Sequence, residues 1–469
     1  MADTASKHID MTTGSLWRNI PLFAFPVAAT SILEQLSNLI ATVIIGNFSG
    51  DQGTLAMAAV GSNVPLTSLM LNLFIGMSLG SNVVIANAIG RNDQNMVKRA
   101  VHTSILMALV GFVVIALGEI FAEPMLAALN VPAETMPLAS LYLRVFLLSM
   151  PSILLYNLRP RSSAPSHHPH AAAGACRVHR PQHMPGPRLV PVLHWGVAGV
   201  AIATAIAYTV SAATLFIRLL KTDSVVRVTP RDLAIDPVAL KRIVKIGLPA
   251  GIQSAVFAVA NIIIQSAINS LGTEVMAASS AAMSLEYVCY NLLNSFSQAC
   301  TTFVGQNHGA RQIDRCTKTL KVCLVEGGIV ALTTIIVIVG LGREILSLFN
   351  SDPNIVSIGY IRVCSIFPAY AFSMFYENMS GYLRGFGISL TPALITMICV
   401  CGIRFYWVFC VFPHFRTFAN IMMVYPISWA PRRSLWSWRC YFATQHAPIA
   451  PPKPERQPAK HRTQRHASH

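Results

Sequence analysis

Charge is what this 469-residue chain has least of. Asp, Glu, Lys and Arg together make up 12% of it, about half of the roughly 25% usual in a soluble domain. Acids are the scarcer sign, 19 against 35 bases. No phosphate loop and no zinc-binding helix motif is present, so an enzyme reading has no support and no enzyme cofactor is expected. The ten cysteines form no C-x-x-C pair and lie mostly in apolar stretches, where they read as small buried hydrophobes. The polar start "MADTASKHIDMTTGSLWRN" predicts no cleavable signal peptide.

What is abundant is apolar sequence. The chain is 53% hydrophobic with a mean hydropathy of +0.53. Runs such as "FVVIALGEIF", "VALTTIIVIVGLG" and "LITMICVCGI" sit in windows of roughly 20 residues nearly free of charge, the length that crosses a bilayer core. The class is therefore an all-α polytopic membrane protein. Eleven spans are expected, near 20–46, 55–86, 101–122, 137–158, 195–220, 243–270, 277–304, 320–342, 357–380, 388–412 and 415–430. Basic residues alternate between connections: Arg91, Lys98 and Arg99 fill one, and none occurs in 46–55 or 122–137. Basic loops belong on the cytoplasmic side, which puts the N-terminus inside. The alternation survives the gap between 158 and 195 only if a twelfth helix crosses there.

An internal repeat locates that helix. "IPLFAFPVAATSILEQLSNLIATVIIGNFSG" resembles "IVKIGLPAGIQSAVFAVANIIIQSAINSLG", pairing Pro26 with Pro249. Further on, Gly90 pairs with Gly309, Tyr142 with Tyr360 and Arg144 with Arg362. The period is about 220 residues in unchanged order, the pattern of two parallel six-helix bundles. In the second half Asn378 leads through a turn into an apolar helix. In the first half Asn157 leads instead into "LRPRSSAPSHHPHAAAGACRVHRPQHMPGPRLVP".

Length is preserved there while every residue class is changed, which a reading-frame shift produces and an inserted domain does not. The tail after "VYPISWA" has the same Arg/Pro/His bias. These two segments carry twelve of the sixteen net positive charges, so the excess is no signature of nucleic-acid binding. A metal site built on "HHPH", Cys176, His179 and His183 lacks the regular spacing such sites use, and none is expected. The expected organisation is a cytoplasmic segment 1–18, a first bundle 19–220 with 159–191 frame-shifted, and a cytoplasmic linker 221–242. A second bundle 243–430 and a frame-shifted, disordered tail 431–469 follow. The shifted fifth span and the lost end of the twelfth leave a third possibility, a non-functional product.

"LRGFGISLTP", "HWGVAGVAIATAIA", "FVGQNHGA", "GLPAGIQS" and "VYPISWA", in a 6+6 layout, resemble the multidrug and toxic compound extrusion (MATE) transporters over residues 15–158 and 192–430. The resemblance implies secondary efflux of organic, often cationic, compounds by antiport with inward Na⁺ or H⁺. It implies two lobes with alternating access in a bacterial cytoplasmic membrane, with small molecules and the lipid bilayer as partners. The protein is expected to act as a monomer. Many members carry an Asp late in the first span; here "NLIAT" puts Ala41 at that place. A flippase for lipid-linked or polysaccharide substrates is the alternative, but it calls for Lys and Arg along the cavity, and the spans offer almost none.

An ionisable residue at membrane depth is a functional candidate. Glu34 and Glu286 lie well inside their spans, whereas Glu326 and Glu377 lie nearer span ends. Each could attract a cation or exchange a proton, or could simply tie two helices together. Gln35, Asn38, Gln253, Asn261, Gln265, Asn291 and Gln298 could complete a cavity or a sodium site. Interhelical hydrogen bonds of about 0.6 kcal/mol each would explain them equally well. Gln253, Asn261 and Gln265 share a helix face by spacing. Arg384 reads as structural at the end of span 10, with Gly385 and Gly387 allowing the turn and Pro392 opening the next helix.

Overall fold

A computed structural model describes residues 11–48, 53–128, 133–157, 196–221, 227–348 and 352–429. The segments read as frame-shifted, 159–191 and 431–469, and with them the expected fifth span, lie outside the described residues. No strand occurs among the described residues. In lipid a backbone must satisfy its own polar groups, and each of the eleven expected spans is occupied by helix.

In the first half these are α1 (Leu16–Phe48), α2 (Gly53–Gly90), α3 (Gln94–Ala128), α4 (Met136–Asn157) and α5 (Gly196–Lys221). The second half has α6 (Pro237–Asn269), α7 (Thr273–Gly309), α8 (Ile313–Gly340), α9 (Pro353–Ile366) and α10 (Tyr370–Gly385). It closes with α11 (Leu390–Val411) and a twelfth crossing made of two short helices, Phe418–Met422 and Val424–Trp429. Six of these stretches are long and apolar enough to cross a membrane, and α9 with α10 would make a seventh. The expected tenth span is thus broken, bent by 46° at Phe367–Pro368–Ala369, where a proline has no N–H to continue the helix. α6 begins at Pro237, ahead of the boundary expected at 243, with Asp236 capping the Ala239 N–H at 2.7 Å.

The helices pack as two lobes in chain order. In the first, α4 lies against α2, α3 and α5; in the second, α7 lies against α8, α9 and α10. The second lobe has the larger described core, from Ala260 to Trp429, with Phe367, Tyr370 and Tyr425 among its buried aromatics. The lobes meet where α2 crosses α6 and where α1 and α2 touch α7.

Glycine makes that crossing possible. A Cβ on Gly76 would overlap the backbone of Gly251, and one on Gly80 the carbonyl of Ile243. Each helix presents two glycines four residues apart, hence on one face, the small-xxx-small pattern of close helix contact in membranes. Lower down, the paired glycines Gly90 and Gly309 press against Gln306 and Asn87 respectively. All these contacts lie in the helix halves next to the basic connections. The chain start joins them there: Arg315 donates to the Thr13 and Gly14 carbonyls at 2.7 and 2.9 Å, and Asn307 to that of Met11 at 3.0 Å.

The linker is tied to α3. Lys98 donates to Asp232 at 2.6 Å, and the Asp236 N–H to Thr103 at 3.0 Å. The hydrogen bond from Lys98, reinforced by its charge, holds the Asp232 carboxyl below its ordinary range.

Candidate functional site

Glu286 lies thirteen residues into α7, about 20 Å along its axis at 1.5 Å per residue. Its carboxylate accepts both arms of Arg362 from α9. Nε of Arg362 donates to Oε1, and Nη2 donates to Oε2 at 3.0 Å. The remaining arm, Nη1, donates to Ser279 Oγ at 2.6 Å. The two side chains are 1% and 9% exposed. Two ions so deeply buried persist only when paired and hydrogen-bonded, and the fork of Arg362 matches the carboxylate bidentately.

A second arginine lies beside this pair. Arg404, on α11, is fully buried and donates from Nη1 to Asn261 Oδ1 on α6 at 2.6 Å. Its guanidinium carbon stands 4.6 Å from the Phe257 ring centre, 4.8 Å from Tyr425 and 5.6 Å from Trp429, all within cation–π reach. Tyr425 also stands 5.7 Å from Arg362. Thus helices α6, α7, α9, α11 and the twelfth crossing converge on two guanidiniums and one carboxylate. The same α6–α11 seam carries Gln253, whose Nε2 donates to Thr396 Oγ1 at 3.1 Å. Both pairs repeat at eight residues on each helix, because α6 and α11 run in parallel.

Of the expected site residues, the structure brings Glu286 and Asn261 into one cluster and puts Gln253 on its seam. Gln265 bonds to Asn269 on its own helix at 2.8 Å, and Asn291 to the Tyr287 carbonyl at 2.8 Å. Gln298 buries an amide oxygen that has no partner among the described residues, and Gln35 is half-buried on α1. The side chains of Glu34 and Asn38 lie outside those described, as does Ala41. Glu326 is 9% exposed, while Glu377 reaches Arg384 at 3.4 Å.

Gly387 takes φ +84°, the left-handed conformation glycine favours at a helix end, and Ile388 N–H closes on the Leu383 carbonyl at 3.0 Å. Gly385 is still helical and serves packing instead, since a Cβ there would meet Val304 at 2.7 Å. Pro392 lies in the first turn of α11. Pro26 and Pro249 both sit inside their helices.

The expectation that the spans hold almost no Lys or Arg is corrected. Arg362 and Arg404 are the two largest fully buried side chains among the described residues. An arginine inside "GYIRVCSIF" or "CVCGIRFYWVF" is itself the signal, by the same cost argument that singles out glutamates.

A family model described as MatE matches residues 26–159 and 249–409, starting in each half at one of the paired prolines. The chain is similar to the probable multidrug resistance protein YoeA of Bacillus subtilis, 25% identical over 408 residues, with 83% of this chain and 86% of that one covered. It is also similar to the FAD transporter of Shewanella oneidensis, 23% identical over 386 residues, covering 77% and 84%. Among solved structures, a multidrug resistance MATE family transporter of the MOP superfamily in an outward-facing conformation superposes with a TM-score of 0.82 at 19% identity. It covers 94% of this chain and 100% of its own. A MOP-superfamily transporter from Pyrococcus furiosus, described by a reverse polarity of its binding pocket, superposes at 0.83 with 18% identity and the same coverage.

Proposed function

Since the chain belongs to the MatE family, we propose that it exports organic compounds, cationic ones among them, from a bacterial cytoplasm in exchange for inward Na⁺ or H⁺. The N-terminus lies inside, the protein acts as a monomer, and the two lobes open alternately to either side. The names of its relatives extend from multidrug resistance to FAD transport, so the compound class is broader than drugs.

The glycine seam carries this reading. The lobes touch through small residues in the half next to the basic loops, which lets two rigid bundles meet closely and separate without unfolding either one. Binding and coupling fall to polar groups held within a lobe. With Ala41 at the expected first-span Asp and Glu286 held by Arg362, Glu326 in the second lobe and Glu34 in the first remain for coupling.

The test is transport by the full chain in proteoliposomes. Ethidium and carboxyfluorescein uptake or release is followed under an imposed Na⁺ or H⁺ gradient. Movement above empty vesicles under one gradient names the coupling ion. No movement of either dye under either gradient sinks the export reading and leaves the non-functional product.

A further inference from the structure

Among the described residues, the second-lobe cluster has one positive charge more than it has negative ones. Glu286 is fully engaged with Arg362, so it neutralises that guanidinium and no other. Of the titratable groups facing Arg404 — Tyr425, Cys401, Tyr370 and Glu286 — only Glu286 is a carboxylate. Nε and Nη2 of Arg404 are buried and have no acceptor among the described residues. Buried guanidinium donors are normally bonded, and an orphaned pair calls for an explanation.

The local helix geometry supplies a second, independent observation. Arg404 lies in a five-residue α-helical piece, Gly402–Tyr406, with π-helical turns on both sides, Thr396–Cys401 and Trp407–Val411. Such turns are rare and cluster at functional sites. They also reset the angle at which a side chain leaves the helix. The hydrogen-bond partner of Nη1, Asn261, is only half-buried, so a competing acceptor can displace its amide oxygen. The rings around the guanidinium are Phe257, Tyr425 and Trp429, faces suited to an aromatic or other flat apolar body.

We propose that Arg404 is a specificity residue for an anionic group, a carboxylate or phosphate carried on an aromatic or apolar compound, bound between α6 and α11 of the second lobe. A single negative charge brings the cluster to neutrality; a carboxylate supplies it, as does a phosphate monoester in its singly protonated form. A cation placed there would join two guanidiniums facing one carboxylate. The proposal rests on the export reading only in treating this compound as transported.

The test is calorimetric titration of the purified full chain with three small ring compounds: benzoate, phenyl phosphate and benzylamine. At least one anion should bind tenfold or more tightly than benzylamine, and the tighter of the two names the group. Arg404→Gln should lose at least tenfold of that affinity, and Arg404→Lys should recover part of it. Benzylamine binding as well as the anions, neither anion binding, or Arg404→Gln binding them unchanged each overturns the proposal. Should the Arg404 variants fail to fold, Asn261→Asp, which sets a fixed carboxylate against Arg404, should remove the anion preference, and an unchanged ranking there overturns the proposal. Vesicles inactive under both gradients, with the anion ranking intact, sink the export reading alone. Gradient-driven transport with the ranking reversed sinks the anion site alone.

Discussion

Arg144 and Arg362 occupy the same place in the two repeats and have opposite surroundings. Arg144, on α4, is 45% exposed and reaches Glu119 at 3.8 Å and Glu123 at 3.2 Å. Arg362 is 1% exposed and gripped by Glu286. The difference originates on a neighbouring helix. Counting back 23 residues from the paired glycines Gly309 and Gly90 leads to Glu286 in α7 but to Thr67 in α2. Thr67 spends its hydroxyl on the Asn63 carbonyl of its own helix at 2.9 Å. A repeat therefore fixes where a side chain stands along the fold, while a single partner decides whether its charge can be buried.

Removing that partner should give the largest effect. Glu286→Gln leaves Arg362 buried without a counter-ion, which costs about 3–5 kcal/mol, read as a lower midpoint in thermal unfolding of the detergent-solubilised protein. Replacing both residues with apolar ones, Glu286→Leu with Arg362→Met, should restore most of the loss, because the pair as a whole gains little over well-packed hydrophobes. A Glu286→Gln variant as stable as the parent would show that the pair is not held as described.

A second break separates the two lobes rather than opening one of them. Gly76→Leu drives a side chain into the backbone of Gly251. Overpacking of this kind costs about 1–3 kcal/mol, here paid by the contact between lobes while each lobe keeps its own core. Cysteines introduced on the seam should then react faster with a thiol reagent applied from the side of the basic loops. Unchanged reactivity would mean that the seam is not where the lobes part.

How much of this was legible in the sequence depends on the residue. Helix positions, the 6+6 layout and the paired prolines followed from apolar length, loop charge and self-similarity, all local or periodic signals. Glu286 could be singled out because a carboxylate in an apolar span is costly. Arg362 and Arg404 obey the same rule. The pairing of Glu286 with Arg362 joins residues 76 apart, and that of Asn261 with Arg404 joins residues 143 apart. No periodicity encodes those distances; they follow from which helix faces meet. Gly385 teaches the same lesson, since its small size answers Val304 on another helix rather than the turn that follows it.

On the first-lobe side of the comparison, effects should be small. Arg144→Ala removes an exposed ion pair with Glu123 and a longer, half-buried one with Glu119, each worth about 0–1 kcal/mol, and should leave the unfolding midpoint within about a degree or two. A drop as large as that of Glu286→Gln would erase the contrast between the repeats.

The smallest expected effect lies outside the membrane, at the bond between Lys98 and Asp232. The folded-state pKa of Asp232 is depressed, so its contribution to stability is present above the unfolded carboxylate value of 3.8. It is lost as pH falls through the lower folded value. Asp232→Asn should therefore flatten the acid end of the stability profile and leave it unchanged at neutral pH apart from a small constant offset. Because both partners are about half exposed, added salt should weaken the bond and shrink the difference between variant and parent. The Glu286–Arg362 pair, shut away from solvent, should show no such salt dependence. Measuring both variants at low and high salt thus separates a charge pair that water screens from one that the fold encloses.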